Sequence, residues 1–250
     1  MPEGPSIVIL KELVEPFTGQ TVQAASGNSK KIDFDRLTGQ TITAFKSFGK
    51  NFFICFEGFS VRIHFMLFGS YLINQRKATP PRLSLQFGDG ELNFYACVVQ
   101  MIDEPLDELY DWSADVMNPA FSEVKALKKL QAKPQLLACD ALLDQQIFAG
   151  VGNIIKNEVL FRIRVHPLSQ VGAMPLKKLK QMVAEAMIYS FEFLEWKKAF
   201  TLKKHWLAHT KKICPRDEVP FIKAYLGKTN RRSFYCEICQ VRYTVLSPES

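Results

Sequence analysis

The alternation of apolar and polar positions changes character along this chain. In Arg82-Leu83-Ser84-Leu85-Gln86-Phe87 the apolar side chains recur every second residue, and Leu92 and Phe94 resume the alternation beyond Gly88-Asp89-Gly90. A period of two places such residues on one face of a strand, and the glycine-rich interruption reads as a turn, so a β-hairpin is predicted. Residues 51–56 and 59–65, parted by Glu57-Gly58, are apolar on both faces. Strands covered on both sides read this way, which predicts a two-layer β-sandwich from about Thr21 to Tyr95. Ahead of it, Ile7, Leu10, Leu13 and Val14 recur at helical spacing and predict a covering helix over Ile7 to Phe17.

Between Asp103 and Pro119 the composition turns acidic and irregular, with Pro105 and Pro119 as breakers, and a domain boundary is expected there. Helical periods follow. Phe121, Val124, Leu127 and Leu130 form one stripe. Pro175 opens a long helix with Leu176, Leu179, Met182, Val183, Ala186, Met187 and Phe191 facing inward, while Lys177, Lys178 and Lys180 make a solvated outer face. Between these stripes, residues 142–153 read as an apolar helix broken by Gly150-Val151-Gly152 and restarted by Asn153 as N-cap.

Of the 250 residues 47% are hydrophobic and 23% charged, which excludes collagen-like and disordered chains. No stretch approaches the roughly 20 apolar residues of a bilayer helix, and Met1-Pro2-Glu3-Gly4-Pro5 lacks the basic start and apolar run of a signal peptide. A cytoplasmic location, nucleoid-associated in a bacterium, is expected. Lys and Arg number 32 against 25 Asp and Glu, a net charge of +7 that suits a polyanionic partner. Cys55, Cys97 and Cys139 stand apart in apolar surroundings and read as small buried hydrophobes rather than disulfide partners.

Three places carry candidate chemistry. The Gly150-Val151-Gly152-Asn153 turn lets backbone approach a ligand where a helix begins, so it reads either as a phosphate seat or as a tight turn between packed helices. In the last forty residues, Cys214, Cys236 and Cys239 crowd together, and Asp217 stands where a four-thiol ribbon carries its second cysteine. Three thiolates and Asp217 can complete a tetrahedral zinc site, with His205 and His209 as rival fourth ligands and a metal-free hairpin as the alternative. Thirdly, if Met1 is removed, Pro2 becomes a secondary amine able to attack a carbonyl-like carbon, with Glu3 beside it as proton shuttle. Without more context such a start is only a solvent-exposed terminus, and Lys50 only a loop lysine.

These pieces occur in this order in one family. The chain resembles the formamidopyrimidine-DNA glycosylase and endonuclease VIII family of base-excision glycosylases over nearly its whole length. The most specific stretches are Met1 to Pro5, Leu142-Leu143-Asp144-Gln145 through Gly150-Val151-Gly152-Asn153 to Glu158-Val159-Leu160-Phe161 and His166-Pro167, and Phe234-Tyr235-Cys236-Glu237-Ile238-Cys239-Gln240. The resemblance implies an α+β protein with three parts. Residues 1–115 would form the catalytic β-sandwich with its covering helix, 116–204 a helical domain with a helix-two-turns-helix motif, and 205–250 a zinc-ribbon β-hairpin. Damaged DNA would lie in the cleft, bound by a monomer with no membrane partner.

Carried over by position, Pro2 is the Schiff-base nucleophile at the sugar C1′, Glu3 the acid that opens the sugar, and Lys50 a DNA-contacting, proton-transferring lysine. Gly152, Asn153 and Arg231 grip the phosphates flanking an extruded nucleotide, and Arg231 also assists the second elimination. One structural zinc is implied, on Cys214, Asp217, Cys236 and Cys239. A flipped nucleotide leaves a void that side chains must fill. Met66, Leu67 and Phe68, at an expected strand-to-strand turn, read either as those wedges or as sandwich core. The later place where purine-specific members carry arginine reads Ala96-Cys97-Val98-Val99-Gln100, and residues 193–213 are short for their capping loop. The resemblance is therefore closer to endonuclease VIII, implying a glycosylase and β,δ-lyase for oxidised pyrimidines. The alternatives are an oxidised-purine glycosylase and a non-catalytic damaged-DNA-binding module. Ser6 and Met66 depart from the family's usual glutamate and glutamine, and no arginine stands at the family's phosphate-contacting place just before Asp115-Val116-Met117.

Overall fold

The computed structural model describes residues 2–244, and the chain divides into two compact units, Met1–Asp111 and Trp112–Ser250. Met1 and the last six residues of the expected 205–250 hairpin region lie outside the described residues.

In the first unit, helix α1 (Gly4–Val14) begins earlier than the apolar spacing predicts, because Pro5 in its first turn has a backbone angle already set for a helix. Ile7, Leu10 and Val14 point into the core, whereas Leu13 is exposed. Strands β1 (Ala24–Ser26), β2 (Ala44–Phe48), β3 (Asn51–Phe56), β4 (Phe59–Ile73), β5 (Leu83–Gln86) and β6 (Glu91–Ile102) follow, with short helices α2 (Phe34–Leu37) and α3 (Leu106–Leu109). The strands pair antiparallel in the order β1-β5-β6-β4-β3-β2. The two layers expected of the sandwich are thus one continuous hydrogen-bonded sheet, joined through the long strands β4 and β6. Side chains from both ends of the strand order and from α1 share a single core, with Phe52 and Phe65 both packed on Phe94. Cys55 and Cys97 are buried free thiols, and burial pushes Cys97 up to about 12, so both behave as inert core residues.

The second unit holds α4 (Glu123–Gln131), α5 (Ala138–Ala141), α6 (Asn153–Arg162), α7 (Leu176–Lys198) and the two-stranded hairpin β7 (Ile222–Leu226) and β8 (Arg231–Tyr235). Its core gathers apolar faces of α4, α6 and α7 with the turns before α6. Several expectations are corrected here. Residues 142–152 form a succession of tight turns, not a helix; their side chains are apolar because the turns themselves are buried. Asn153 is the first helical residue and Gly152 the cap. Val124, Leu176 and Phe191 are exposed, so the inward stripes of α4 and α7 are narrower than their spacing suggests. Lys178 does not point wholly outward; its Nζ donates to the Ile163 carbonyl at 2.6 Å. Cys139 is buried, and burial raises its thiol to about 11. No helix among the described residues is long and apolar enough to cross a membrane.

Candidate functional site

In the first unit Pro2 is half-buried immediately ahead of α1, and Glu3 occupies the helix N-cap position in extended backbone. The Glu3 carboxylate is only 1% exposed, although its side chain makes no capping bond, while its carbonyl accepts from the Ser6 N–H. A carboxylate withdrawn from water and making no capping bond suits proton transfer better than helix capping. Lys50 lies in the two-residue turn between β2 and β3, which pair as Phe48↔Asn51. Asn51 secures this turn, donating through Nδ2 to the Phe48 carbonyl at 3.3 Å, and its Oδ1 lies 3.1 Å from His64 Nδ1. Burial foremost, then Arg62 and Lys50, lower the His64 pKa, so the ring is neutral near pH 7.

The expected strand-to-strand turn at Met66, Leu67 and Phe68 is instead an insertion within β4. Phe65 pairs with Cys97 and Ser70 with Tyr95, so residues 66–69 stand opposite Ala96 alone. Chain freed from the ladder in this way can project side chains outward. Met66, Leu67 and Phe68 are 54%, 57% and 83% exposed. Gly69 closes the insertion, and any Cβ there would meet Phe65 Cβ at 2.7 Å and the Ala96 carbonyl oxygen at 2.9 Å. Three large apolar groups held in water by a specific backbone device form an exposed apolar patch of the kind that marks an interaction surface.

In the second unit Gln145 braces the Gly-x-Gly turn, accepting from the Gly150 N–H and donating to the Leu143 and Val151 carbonyls. This aims the start of α6, with Gly152 and Asn153, at the edge of β8. There Asn153 Nδ2, Lys156 Nζ and Asn157 Nδ2 converge on the Arg232 carbonyl at 2.9, 3.1 and 3.3 Å. Asn157 Oδ1 accepts from the Phe234 N–H, so α6 side chains complete a hydrogen-bonding edge of β8 that no further strand among the described residues fills. Arg231 is half-buried in the same strand.

The turn between β7 and β8 is secured by Asp140, whose carboxylate accepts from Lys228 N–H, Thr229 N–H and Thr229 Oγ1 at 2.8, 3.0 and 2.8 Å. Gly227 makes this approach possible: its φ is +72°, and a Cβ there would sit 2.5 Å from the carboxylate. Asp140→Ala is expected to cost about 3 kcal/mol, since it strands several donors of a charge-assisted cluster. Denaturant unfolding checks this, and an unchanged midpoint would show that the turn holds without Asp140. Glu158, fully buried, likewise accepts from the N–H groups of Leu207, Ala208 and His209.

Cys214, Asp217, Cys236 and Cys239 come together with all ligand atoms within 4.8 Å of one another. Cys214 Sγ lies 3.8 Å from Cys239 Sγ, and Asp217 Oδ2 lies 3.4 and 3.2 Å from the Cys214 and Cys236 sulfurs. A tetrahedral zinc with Zn–S bonds of about 2.3 Å requires S···S edges of roughly 3.8 Å and slightly shorter S···O edges, so the donor set fits that ion. The rival ligands lie outside the cluster. His205 stacks flat on Trp196 at 4.2 Å between ring centroids, and His209 Nδ1 accepts from Asn157 Nδ2 at 3.2 Å. Burial, then the charges of Lys156 and Arg232, push His209 down to about 4.

Residues 1–97 match the Formamidopyrimidine-DNA glycosylase N-terminal domain and residues 113–192 the Formamidopyrimidine-DNA glycosylase H2TH domain. The chain is 27% identical to Endonuclease 8-like 2 of Bos taurus, over 100% of this chain and 98% of that protein. It is 30% identical to Endonuclease 8-like 3 of Bos taurus over 88% of this chain, and spans 38% of that longer protein. Its fold superposes with a TM-score of 0.84 on Lactococcus lactis formamidopyrimidine DNA glycosylase bound non-covalently to DNA containing an abasic site, at 19% identity, covering 95% of this chain and 99% of the other.

Proposed function

The chain belongs to the formamidopyrimidine-DNA glycosylase and endonuclease VIII family of DNA-repair glycosylases, and from that membership we propose a bifunctional enzyme that excises oxidised pyrimidines and cuts the abasic site it creates. The observation that carries this reading is the pairing of Pro2 with the buried Glu3 carboxyl at the entrance to α1. Once Met1 is removed, the Pro2 amine titrates close to neutrality and attacks C1′ of the damaged nucleotide. Glu3 in its protonated form delivers a proton to the ring oxygen as the sugar opens, and the base departs with its bonding pair. The resulting iminium acidifies C2′; loss of that proton expels the 3′ phosphate, and a second elimination expels the 5′ phosphate.

The remaining residues take supporting parts. Met66, Leu67 and Phe68 fill the space left by the flipped nucleotide. Lys50 contacts the DNA and moves a proton. Gly152, Asn153 and Arg231 hold flanking phosphates; one amide hydrogen of Asn153 is given to the Arg232 carbonyl, and the other serves a phosphate oxygen. Cys214, Asp217, Cys236 and Cys239 would hold one zinc ion, which supplies structural bracing only. Pyrimidine preference is supported by the placement of all three wedges in one β4 insertion and by the absence of arginine from Ala96 to Gln100. The named relatives of the endonuclease 8 type favour the same branch.

Borohydride trapping of Met1-processed protein on duplexes bearing thymine glycol, dihydrouracil, 8-oxoguanine or an abasic site tests the proposal. A Pro2 adduct, located by mass spectrometry and strongest on the oxidised pyrimidines, is expected. An adduct mainly on 8-oxoguanine would transfer the substrate to the purine branch. No adduct on the abasic duplex, with binding intact, would leave a non-catalytic damaged-DNA-binding module.

A further inference from the structure

We propose that Lys156 is a positioning residue for Arg231, fixing through the β8 backbone the side chain that assists the second elimination; this rests on the role given above to Arg231. Lys156 is fully buried one turn into α6. That is a poor place for a cation. Burial strips its hydration, and the start of a helix carries the positive end of the backbone dipole. An apolar side chain of similar length would pack there without either cost. What the ammonium does instead is donate twice into β8, to Ser233 Oγ at 2.8 Å and to the Arg232 carbonyl at 3.1 Å.

The consequence falls on Arg231. Ser233 Oγ, held by Lys156, lies 3.5 Å from the Arg231 carbonyl, and the next peptide is held at the Arg232 carbonyl by Lys156 and two asparagines. On the other side, Asp140 fixes the backbone at Lys228 and Thr229. Arg231 is therefore bracketed within three residues by buried charges on α5 and α6. Neither bracket uses the ligand atoms of the Cys214, Asp217, Cys236 and Cys239 cluster. Neutral donors from Asn153 and Asn157 alone would leave this strand edge free to shift, whereas a charge-assisted bond is shorter and roughly twice as strong. Small displacements of a group acting in the transition state carry large rate penalties, on the order of 100-fold for about 1 Å.

The test separates the two chemical steps in the full-length, metal-loaded protein. Lys156→Met is expected to trap on abasic duplex within about twofold of the unsubstituted protein, yet to form the one-nucleotide gap roughly 10- to 100-fold more slowly, so that the product of the first elimination accumulates. Lys156→Arg, which restores charge and donors, should recover gap formation. In Lys156→Met/Arg231→Ala the two effects should not multiply, because both act on one group. If Arg231→Ala slows gap formation but Lys156→Met does not, or if the two effects multiply, the positioning role is overturned. If Arg231→Ala itself leaves gap formation unchanged, the role of Arg231 fails first. Should Lys156→Met fold poorly by its melting temperature, Lys156→Gln retains a donor without the charge, and gap formation at the unsubstituted rate in that variant would equally overturn the proposal.

Discussion

Protein that retains Met1, or carries one added residue ahead of Pro2, is expected to give no borohydride-stable adduct on abasic DNA while binding the same duplex normally. The reason is electronic. An acylated proline nitrogen shares its lone pair with the carbonyl and has none to offer C1′. The free Pro2 amine differs also from a primary amine: its adduct is an iminium that cannot lose a proton from nitrogen to become a neutral imine, so it stays an electron sink until C2′ is deprotonated. Pro2→Gly, exposing a primary amine, is therefore expected to retain weak lyase activity on abasic DNA. Glu3→Gln separates the remaining step. It leaves the amine in place and should still trap on a preformed abasic site, but excision of an intact damaged base should slow by roughly 100- to 10,000-fold, the usual contribution of a positioned acid. Trapping at the normal level by a protein with a verified blocked amine would remove Pro2 from the mechanism.

Much of this arrangement is legible in the sequence, and the exceptions have physical causes. Period-two alternation locates β5 and the start of β6, and Pro175 marks the start of α7, because both signals are local. The continuity of the sheet is not local: it depends on β4 and β6 running through it, which no run of residues declares. Residues 142–152 mislead because burial, not helical geometry, sets their apolar character. The polar brackets are hidden in the sequence for a different reason. Lys156, Asn157 and Glu158 are consecutive, and three successive helical positions spread over about 200° of the helix surface, so they cannot share one solvent face. All three are buried. That spacing is a readable sign of a helix surrounded by partners, although the sequence does not name the partners as Arg232, Phe234 and residues 207–209. The Cys214, Asp217, Cys236 and Cys239 grouping was legible because thiols close in sequence to a hairpin have few other uses.

That grouping carries the second large effect. Freshly purified protein is expected to contain about one zinc per chain, and Cys236→Ser to lose it. Three separations among the sulfurs and the Asp217 oxygen, 3.2, 3.4 and 3.8 Å, already match edges of a zinc tetrahedron, and burial raises the Cys236 and Cys239 thiols, so a dication is what makes thiolates favourable there. Structural zinc sites contribute on the order of 10 kcal/mol to the folding of small ribbons, which would ordinarily mean that metal loss unfolds the whole element. Here the loss should be confined. Asp140 holds the β7–β8 turn and α6 holds the edge of β8, independently of the ligands. Hydrogen exchange is therefore expected to accelerate in residues 213–221 and 236–241 of Cys236→Ser, while amides of Lys228, Thr229 and Phe234 stay protected. Zinc content near zero in freshly purified protein, or a full complement in Cys236→Ser, would dismiss the metal assignment. Loss of protection throughout residues 222–235 would show instead that the hairpin depends on the ion, and that the buried charges of α5 and α6 act only once it is formed.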